Sequence, residues 1–121
     1  MHKIVNKGWG YEIWIENNEL YCGKLLHVLP GKFCSVHYHK NKKEIFYVIS
    51  GVLNLQLSAS LSPADWESKS FETKLLTKGE SLTIETYTAH RFTSDLHYAC
   101  EFIEFSTHHA DTDSYRIIKG D

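Results

Sequence analysis

Residues 31–51 read GKFCSVHYHKNKKEIFYVISG, and the spacing inside this stretch decides the fold. His37 and His39 stand two apart, and on a β-strand such residues point to one face with Cα atoms about 6.6 Å apart. Two imidazoles at that separation converge on a single ion held at ~2.1 Å from each nitrogen. Glu44 lies at an odd offset from both histidines, so an uninterrupted strand would turn it outward. A turn at Lys40 to Lys42 instead lets the next strand come back beside the first and present Glu44 to the same cavity. Gly31 and Gly51 flank the stretch, where strand reversals require unusual backbone angles. Lys40, Lys42 and Lys43 read as a solvated turn that Glu44 ends.

Strand signals continue on both sides. Tyr11-Glu12-Ile13-Trp14-Ile15 and Val52-Leu53-Asn54-Leu55-Gln56-Leu57 alternate and are rich in β-formers. Further strands are expected at Lys24 to Leu29, Cys34 to His39, Glu44 to Ile49, Ser81 to Glu85, Ala89 to Thr93 and Tyr98 to Phe105. Asn17-Asn18, Pro30-Gly31, Ser50-Gly51 and Lys78-Gly79 separate them as turns. About eight short strands with no long amphipathic helix predict an all-β sandwich or barrel. Residues 58–74 are polar and read as a loop joining two halves of the barrel. Ser62 before Pro63 suits a short helical turn there, Trp66 and Phe71 suit an extended hairpin equally, and a strand resumes near Lys74.

The second half supplies Gly79 and, eleven residues on, His90. His37, His39, His90 and Glu44 together make three imidazoles and one carboxylate, a borderline-hard set for one divalent ion, Zn, Mn, Fe or Ni. Four protein ligands on an ion able to take six leave two positions for water or substrate. Phe46 and Val48 share the face of Glu44 and are expected to fill the barrel below the ion, while Tyr38 faces away. His2, His108 and His109 read as exposed histidines, and His27 and His97 as hydrogen-bonded structural ones. Glu101 and Glu104 sit on opposite faces of one strand, so at most one points inward. Arg116 suits a phosphate through its planar fork, or a salt bridge to Asp111 or Asp113.

Composition sets the limits. A chain of 121 residues fits one domain, residues 1–121, with 42% apolar and 23% charged residues. A net charge of −2 argues against nucleic acid as a partner. No apolar run approaches the roughly 20 residues that span a bilayer, which argues against a membrane partner, and the start lacks a secretory pattern. Cys22, Cys34 and Cys100 form no Cys-x-x-Cys pair and read as buried thiols of a reducing compartment, which makes a cytoplasmic location the expectation.

The two segments resemble the paired sequence motifs of the cupin superfamily. The first matches at Gly31, His37, His39, Glu44 and Gly51. The second matches at Gly79 and His90, with Glu85 where the family usually has proline, Tyr87 where it usually has glycine and Ser94 where it often has asparagine. The resemblance implies a cupin-type double-stranded β-helix, or jelly-roll, barrel holding a divalent metal.

Lys7-Gly8-Trp9-Gly10-Tyr11-Glu12 is similar to the entry strand of the cupin domain in type II mannose-6-phosphate isomerases. Ile103-Glu104-Phe105-Ser106-Thr107, with Asp111, Asp113 and Arg116, is similar to that group's closing segment. That likeness implies a small-molecule substrate, a sugar or sugar phosphate, and a metal-dependent isomerase or epimerase. Glu104 or Glu101 is then the candidate base and Arg116 the substrate-binding candidate. A non-catalytic sugar- or metal-binding module and an Fe(II)-dependent dioxygenase are the alternatives. Family likeness also implies a homodimer, and the aromatic-rich strand around Trp9 and Trp14 is the expected contact because an unpaired strand edge tends to find a partner.

Overall fold

In the computed structural model, which describes residues 2–121, apolar–polar alternation builds two antiparallel sheets. The first has six strands: β1 (Lys3–Lys7), β2 (Gly10–Asn17), β3 (Cys22–Val28), β5 (Glu44–Ser50), β8 (Ser81–Ile84) and β10 (Cys100–Ser106). Their spatial order is β1-β2-β3-β10-β5-β8. The second has five: β4 (Val36–Tyr38), β6 (Leu53–Ser58), β7 (Glu72–Leu76), β9 (Ala89–Ser94) and β11 (Tyr115–Ile118), in the order β11-β4-β9-β6-β7. This is the all-β jelly roll that the motifs imply.

One face of every central strand is buried. On β3 the residues Cys22, Lys24, Leu26 and Val28 alternate inward, and on β5 Glu44, Phe46 and Val48 do the same. Phe46, Phe92 and Phe102 pack ring against ring, with centroids 4.7 to 6.3 Å apart, between Val28, Val48, Leu53 and Leu55. Phe46 and Val48 therefore fill the barrel as their alternation requires.

The turn from β5 to β6 depends on Gly51. It adopts φ +76°, and a Cβ there would come within 2.4 Å of the Ala99 carbonyl oxygen. Only glycine fits both constraints.

Several sequence expectations change. β4 is only three residues long, because the chain must leave the sheet after Tyr38. β5 does not return beside β4. It crosses to the opposite sheet, between β10 and β8, so the two halves of the first motif face each other across the interior. β1 and β11 are additional strands; β1 covers the edge of β2, and β11 pairs with β4. Consequently the strand holding Trp14 is not an edge, and Trp9 is buried with its ring edge-on to Phe92 at 4.9 Å.

The polar stretch contains a short helix, α1 (Pro63–Glu67), with Pro63 in its first turn. Trp66 is buried there and stacks on Phe71 at 4.8 Å, ahead of β7. Cys22, Cys34 and Cys100 are buried and free. No helix among the described residues is long and apolar enough to cross a membrane.

Candidate metal centre

His37 lies on β4 and pairs directly with His90 on β9, so both project from one sheet into the interior. His39 follows β4 immediately, and its ring lies 5.1 Å from that of His37. Ring nitrogens of His37, His39 and His90 all fall within 4.8 Å of one another. Glu44, the first residue of β5, reaches across from the other sheet. Its Oε1 lies 3.0 Å from His90 Nε2 and 3.6 Å from His39 Nε2. Donors about 3 Å apart are what adjacent ligands of one ion at ~2.1 Å require.

Each imidazole is oriented by its other nitrogen. Nδ1 of His37 meets the Ser35 carbonyl at 3.0 Å, Nδ1 of His39 the Asp113 carbonyl at 2.9 Å, and Nδ1 of His90 the Thr88 carbonyl at 2.9 Å. A carbonyl only accepts, so Nδ1 donates in all three and Nε2 is left with a lone pair. Glu44 Oε1 and His90 Nε2 are both buried and have no aligned hydrogen bond to any described residue, although they are 3.0 Å apart. Two facing electron pairs sealed from water call for a cation between them. The residues present therefore fit a divalent metal.

Electrostatics agree. Burial, with repulsion from His90 and His39, holds the His37 imidazole well below its usual pKa, which keeps it neutral and able to ligate. Burial brings His39 down to about 4 against the pull of Glu44. Burial alone would raise Glu44, but the Lys42 ammonium and the neighbouring imidazoles hold it well below the carboxylate range.

Lys42 is the main correction to the sequence reading. It is not solvated; it is 3% exposed, inside the cavity. Its Nζ donates to Glu104 Oε2 at 2.9 Å and to His109 Nδ1 at 3.0 Å, and lies 3.3 Å from Glu44 Oε2. Lys42 thus occupies one oxygen of Glu44 and leaves the other for the histidines. Burial pushes the Glu104 carboxyl above its usual range, with repulsion from Glu44 adding and Lys42 opposing.

The turn that carries His39 and Lys42 is clamped by Asp113, from a 3-10 turn at Asp111–Asp113. Its carboxylate accepts backbone N–H bonds from Lys40 at 2.9 Å, Asn41 at 3.2 Å and Lys42 at 3.0 Å. In the sequence Asp113 stands out as an ion-pair partner for Arg116 and as part of the closing segment, not as a clamp; a buried aspartate that caps a turn in sequence-distant chain leaves no local signal.

The four ligand candidates, Glu104 and Arg116 all line a single cavity of about 590 Å³. Glu101 points to the other side of β10 and bonds His27 at 2.8 Å, with His27 stacked on Tyr11. Of the two candidate bases, only Glu104 faces the site. Arg116 pairs in register with His37 and, among the described residues, makes no ion pair with Asp111 or Asp113, whose carboxylates are engaged elsewhere.

His109 corrects the reading of an exposed histidine. It lines the cavity between Lys42 and Asp111 because the tail folds back over β2. Tyr38 faces outward, stacked between Tyr87 and Tyr115. Tyr87 adopts φ +60°, the left-handed conformation that the family's glycine would take without strain.

The comparisons with known proteins place the chain. No curated protein matches it in sequence. Among solved structures it is similar to the capsular polysaccharide assembling protein CapF from Staphylococcus aureus, with TM-score 0.80 and 16% identity over 96% of this chain and 34% of that one. It is similar to KdgF from Halomonas sp., with TM-score 0.72 and 14% identity over 92% of each chain. Oxalate decarboxylase from Bacillus subtilis superposes with TM-score 0.78 and 13% identity, over 95% of this chain and 30% of that one. The chain thus spans about a third of CapF and of oxalate decarboxylase, and at these identities the likeness is one of fold. The sequence model of the cupin domain family matches residues 24–106, from Lys24 on β3 to the end of β10, and the chain belongs to the cupin family.

Proposed function

We propose that the cavity is the active site of a metal-dependent isomerase or epimerase acting on a sugar or sugar phosphate. One observation carries the reading. His37, His39, His90 and Glu44 offer convergent lone pairs on one side of a cavity whose other side presents Glu104. A divalent ion held by the four would supply Lewis-acid polarisation of a substrate carbonyl.

The chain's own residues supply the rest. Burial makes Glu104 a stronger base than a free carboxylate, suited to taking the proton from the carbon beside that carbonyl and returning it to the neighbouring carbon. Lys42 keeps Glu104 and Glu44 in place, so the base and the ligand carboxylate hold a fixed separation. Arg116, which lines the cavity and makes no ion pair among the described residues, suits a phosphate. The likeness of the two chain ends to type II mannose-6-phosphate isomerases supports the sugar class.

A second reading is a non-catalytic sugar-binding module. It draws on the bonds from Lys42 and Ser106 to Glu104 Oε2, which weaken that oxygen as a base. In either case we infer a cytoplasmic homodimer, consistent with three free buried thiols and an apolar outer face on the six-stranded sheet.

Two measurements decide. Replacing His37 and His39 together with alanine is expected to abolish metal retention while the far-UV circular dichroism of the barrel persists. Equal metal content in both proteins would reject the ligand assignment. Isomerase action predicts incorporation of solvent deuterium next to the carbonyl of a candidate aldose phosphate, lost in Glu104→Gln. Absence of exchange across a broad panel in the metal-loaded protein points to the binding module.

A further inference from the structure

The cavity wall opposite the histidines carries a cation that the reading above leaves unused. Lys24 occupies an interior position of β3, between Cys22 and Leu26 in the alternation, and is 1% exposed. Its cross-strand neighbours are Trp14 on β2 and Glu104 on β10. The ammonium lies 4.1 Å from the centre of the Trp14 ring. Its one ion-pair contact among the described residues is Glu12 Oε1 at 3.8 Å, beyond hydrogen-bond distance. That oxygen already accepts from the Trp14 indole at 2.9 Å.

Lys42 makes the contrast plain, because three acceptors at 2.9, 3.0 and 3.3 Å match its three donors. The donors of Lys24 meet no such set. The side chain is buried but its nitrogen opens into the cavity, so its donors are met by what the cavity contains, water or ligand. The carboxylates facing the cavity already have donors. Glu44 and Glu104 are held by Lys42, Asp111 by His109 and Glu12 by Trp14. With a divalent ion held at the histidines, that ion, Lys24 and Lys42 together outweigh the carboxylates of Glu12, Glu44 and Glu104, so the charge left over on the interior wall is positive.

We propose that Lys24 is the anchor for an anionic group, a carboxylate or a phosphate, on a ligand whose other end reaches the metal centre. The inference deepens the proposed function and rests on it for the position of that other end. Sheet register sets the span. Lys24 on β3 is in register with Glu104 on β10 and Phe46 on β5, two residues from Glu44, so the Cα atoms of Lys24 and Glu44 lie about 12 Å apart at ~4.8 Å per strand and ~3.3 Å per residue. A hexose phosphate or a six-carbon sugar acid lying along the cavity matches that distance, with the acid group at Lys24 and its carbonyl end toward the histidines. A neutral sugar could accept from the ammonium through its hydroxyls but would leave the charge unbalanced. The ligand class is therefore an acidic sugar derivative, and Arg116, exposed at the mouth, is secondary to Lys24 as its anchor.

The test is binding, measured apart from turnover. Metal-loaded full-length protein is titrated with glucose 6-phosphate, glucuronate and glucose, following intrinsic tryptophan fluorescence, to which Trp14 contributes from beside Lys24, and checked by calorimetry. Wild type is expected to bind at least one anionic probe ten-fold or more tighter than glucose, and whichever probe wins identifies phosphate or carboxylate as the group. Lys24→Met should remove that preference and leave metal content unchanged, while Arg116→Gln should retain most of it. Lys24→Gln serves the same purpose should the methionine variant fold poorly. Equal affinity for all three probes in wild type, an unchanged preference in both Lys24 variants, or a preference abolished only in Arg116→Gln overturns the proposal. Metal content, measured on the same samples, reports on the metal centre independently. A protein that retains no metal but still prefers anions through Lys24 would refute the catalytic reading and leave the anion anchor standing.

Discussion

Asp113 holds the turn after β4 with both of its polar ends, its carboxylate on three backbone N–H groups and its carbonyl on His39. Asp113→Ala would leave those donors without their charged acceptor, at a cost of about 2–3 kcal/mol. The same change frees the chain bearing His39, so metal affinity should fall roughly 10–100-fold, as loss of an orienting partner does. Chemical denaturation and metal competition measure the two effects separately. Asp113→Asn, which keeps an acceptor, should recover part of both.

Lys42 and Glu104 form a second such unit. Lys42→Met alone leaves two buried carboxylates without their cation and should cost about 3–5 kcal/mol. Adding Glu104→Gln should restore part of it, a coupling that a double-mutant cycle reads directly. Additive losses would mean that the two side chains act independently.

Among the elements, the turns show which glycines are fixed by geometry. Gly51 and Gly79 both take positive φ, at +76° and +86°. A Cβ on Gly51 meets the backbone of Ala99 and Cys100, whereas one on Gly79 meets nothing within 4 Å. Gly79→Ala should therefore cost about 1 kcal/mol from backbone strain alone, and Gly51→Ala at least about 2 kcal/mol because backbone must also move. Equal shifts in melting temperature would refute the close approach of β5 and β10 at that turn.

Elements at the chain ends were the least legible. Lys3–Lys7 and Tyr115–Ile118 are too short and too mixed in polarity to stand out by period, and they are strands because a neighbouring edge offers unpaired backbone groups. The rest of the strand pattern was readable, since alternation reports directly which face is buried. Lys24 shows how far that signal could have gone. It stands in the buried register of β3, and a charged residue at an interior position of an alternating strand marks a site.

At the scale of the molecule, the outer face of the six-stranded sheet is apolar along one row. Ile4, Ile13, Leu25, Ile103 and Tyr47 are consecutive cross-strand neighbours over five strands. Phe105 and Ile45 form a pair in the next row, and Ile4, Tyr47, Phe105 and Ile45 are all exposed. A row of five strands extends about 19 Å, and an apolar face of that breadth is suited to an identical face related by a two-fold axis. The homodimer we infer would therefore form through this face and not through Trp9, which is buried in the core, or Trp14, whose strand is covered by β1. Tyr47→Glu combined with Phe105→Glu should convert it to monomer in sedimentation equilibrium without loss of metal. A wild type that sediments as monomer at high concentration would remove this surface from consideration.

The sequence by itself determined the alternation of strands, the turn glycines and the four metal-ligand candidates, because those features follow from local spacing and side-chain chemistry. Only the tertiary structure decided that Glu44 approaches from the opposite sheet, that Lys42 and Lys24 are interior charges, that Asp113 and His109 belong to the site, and that Glu104 rather than Glu101 faces it. Each of these depends on which strands lie side by side, and that is set by the closure of two sheets around a shared core rather than by any neighbour along the chain.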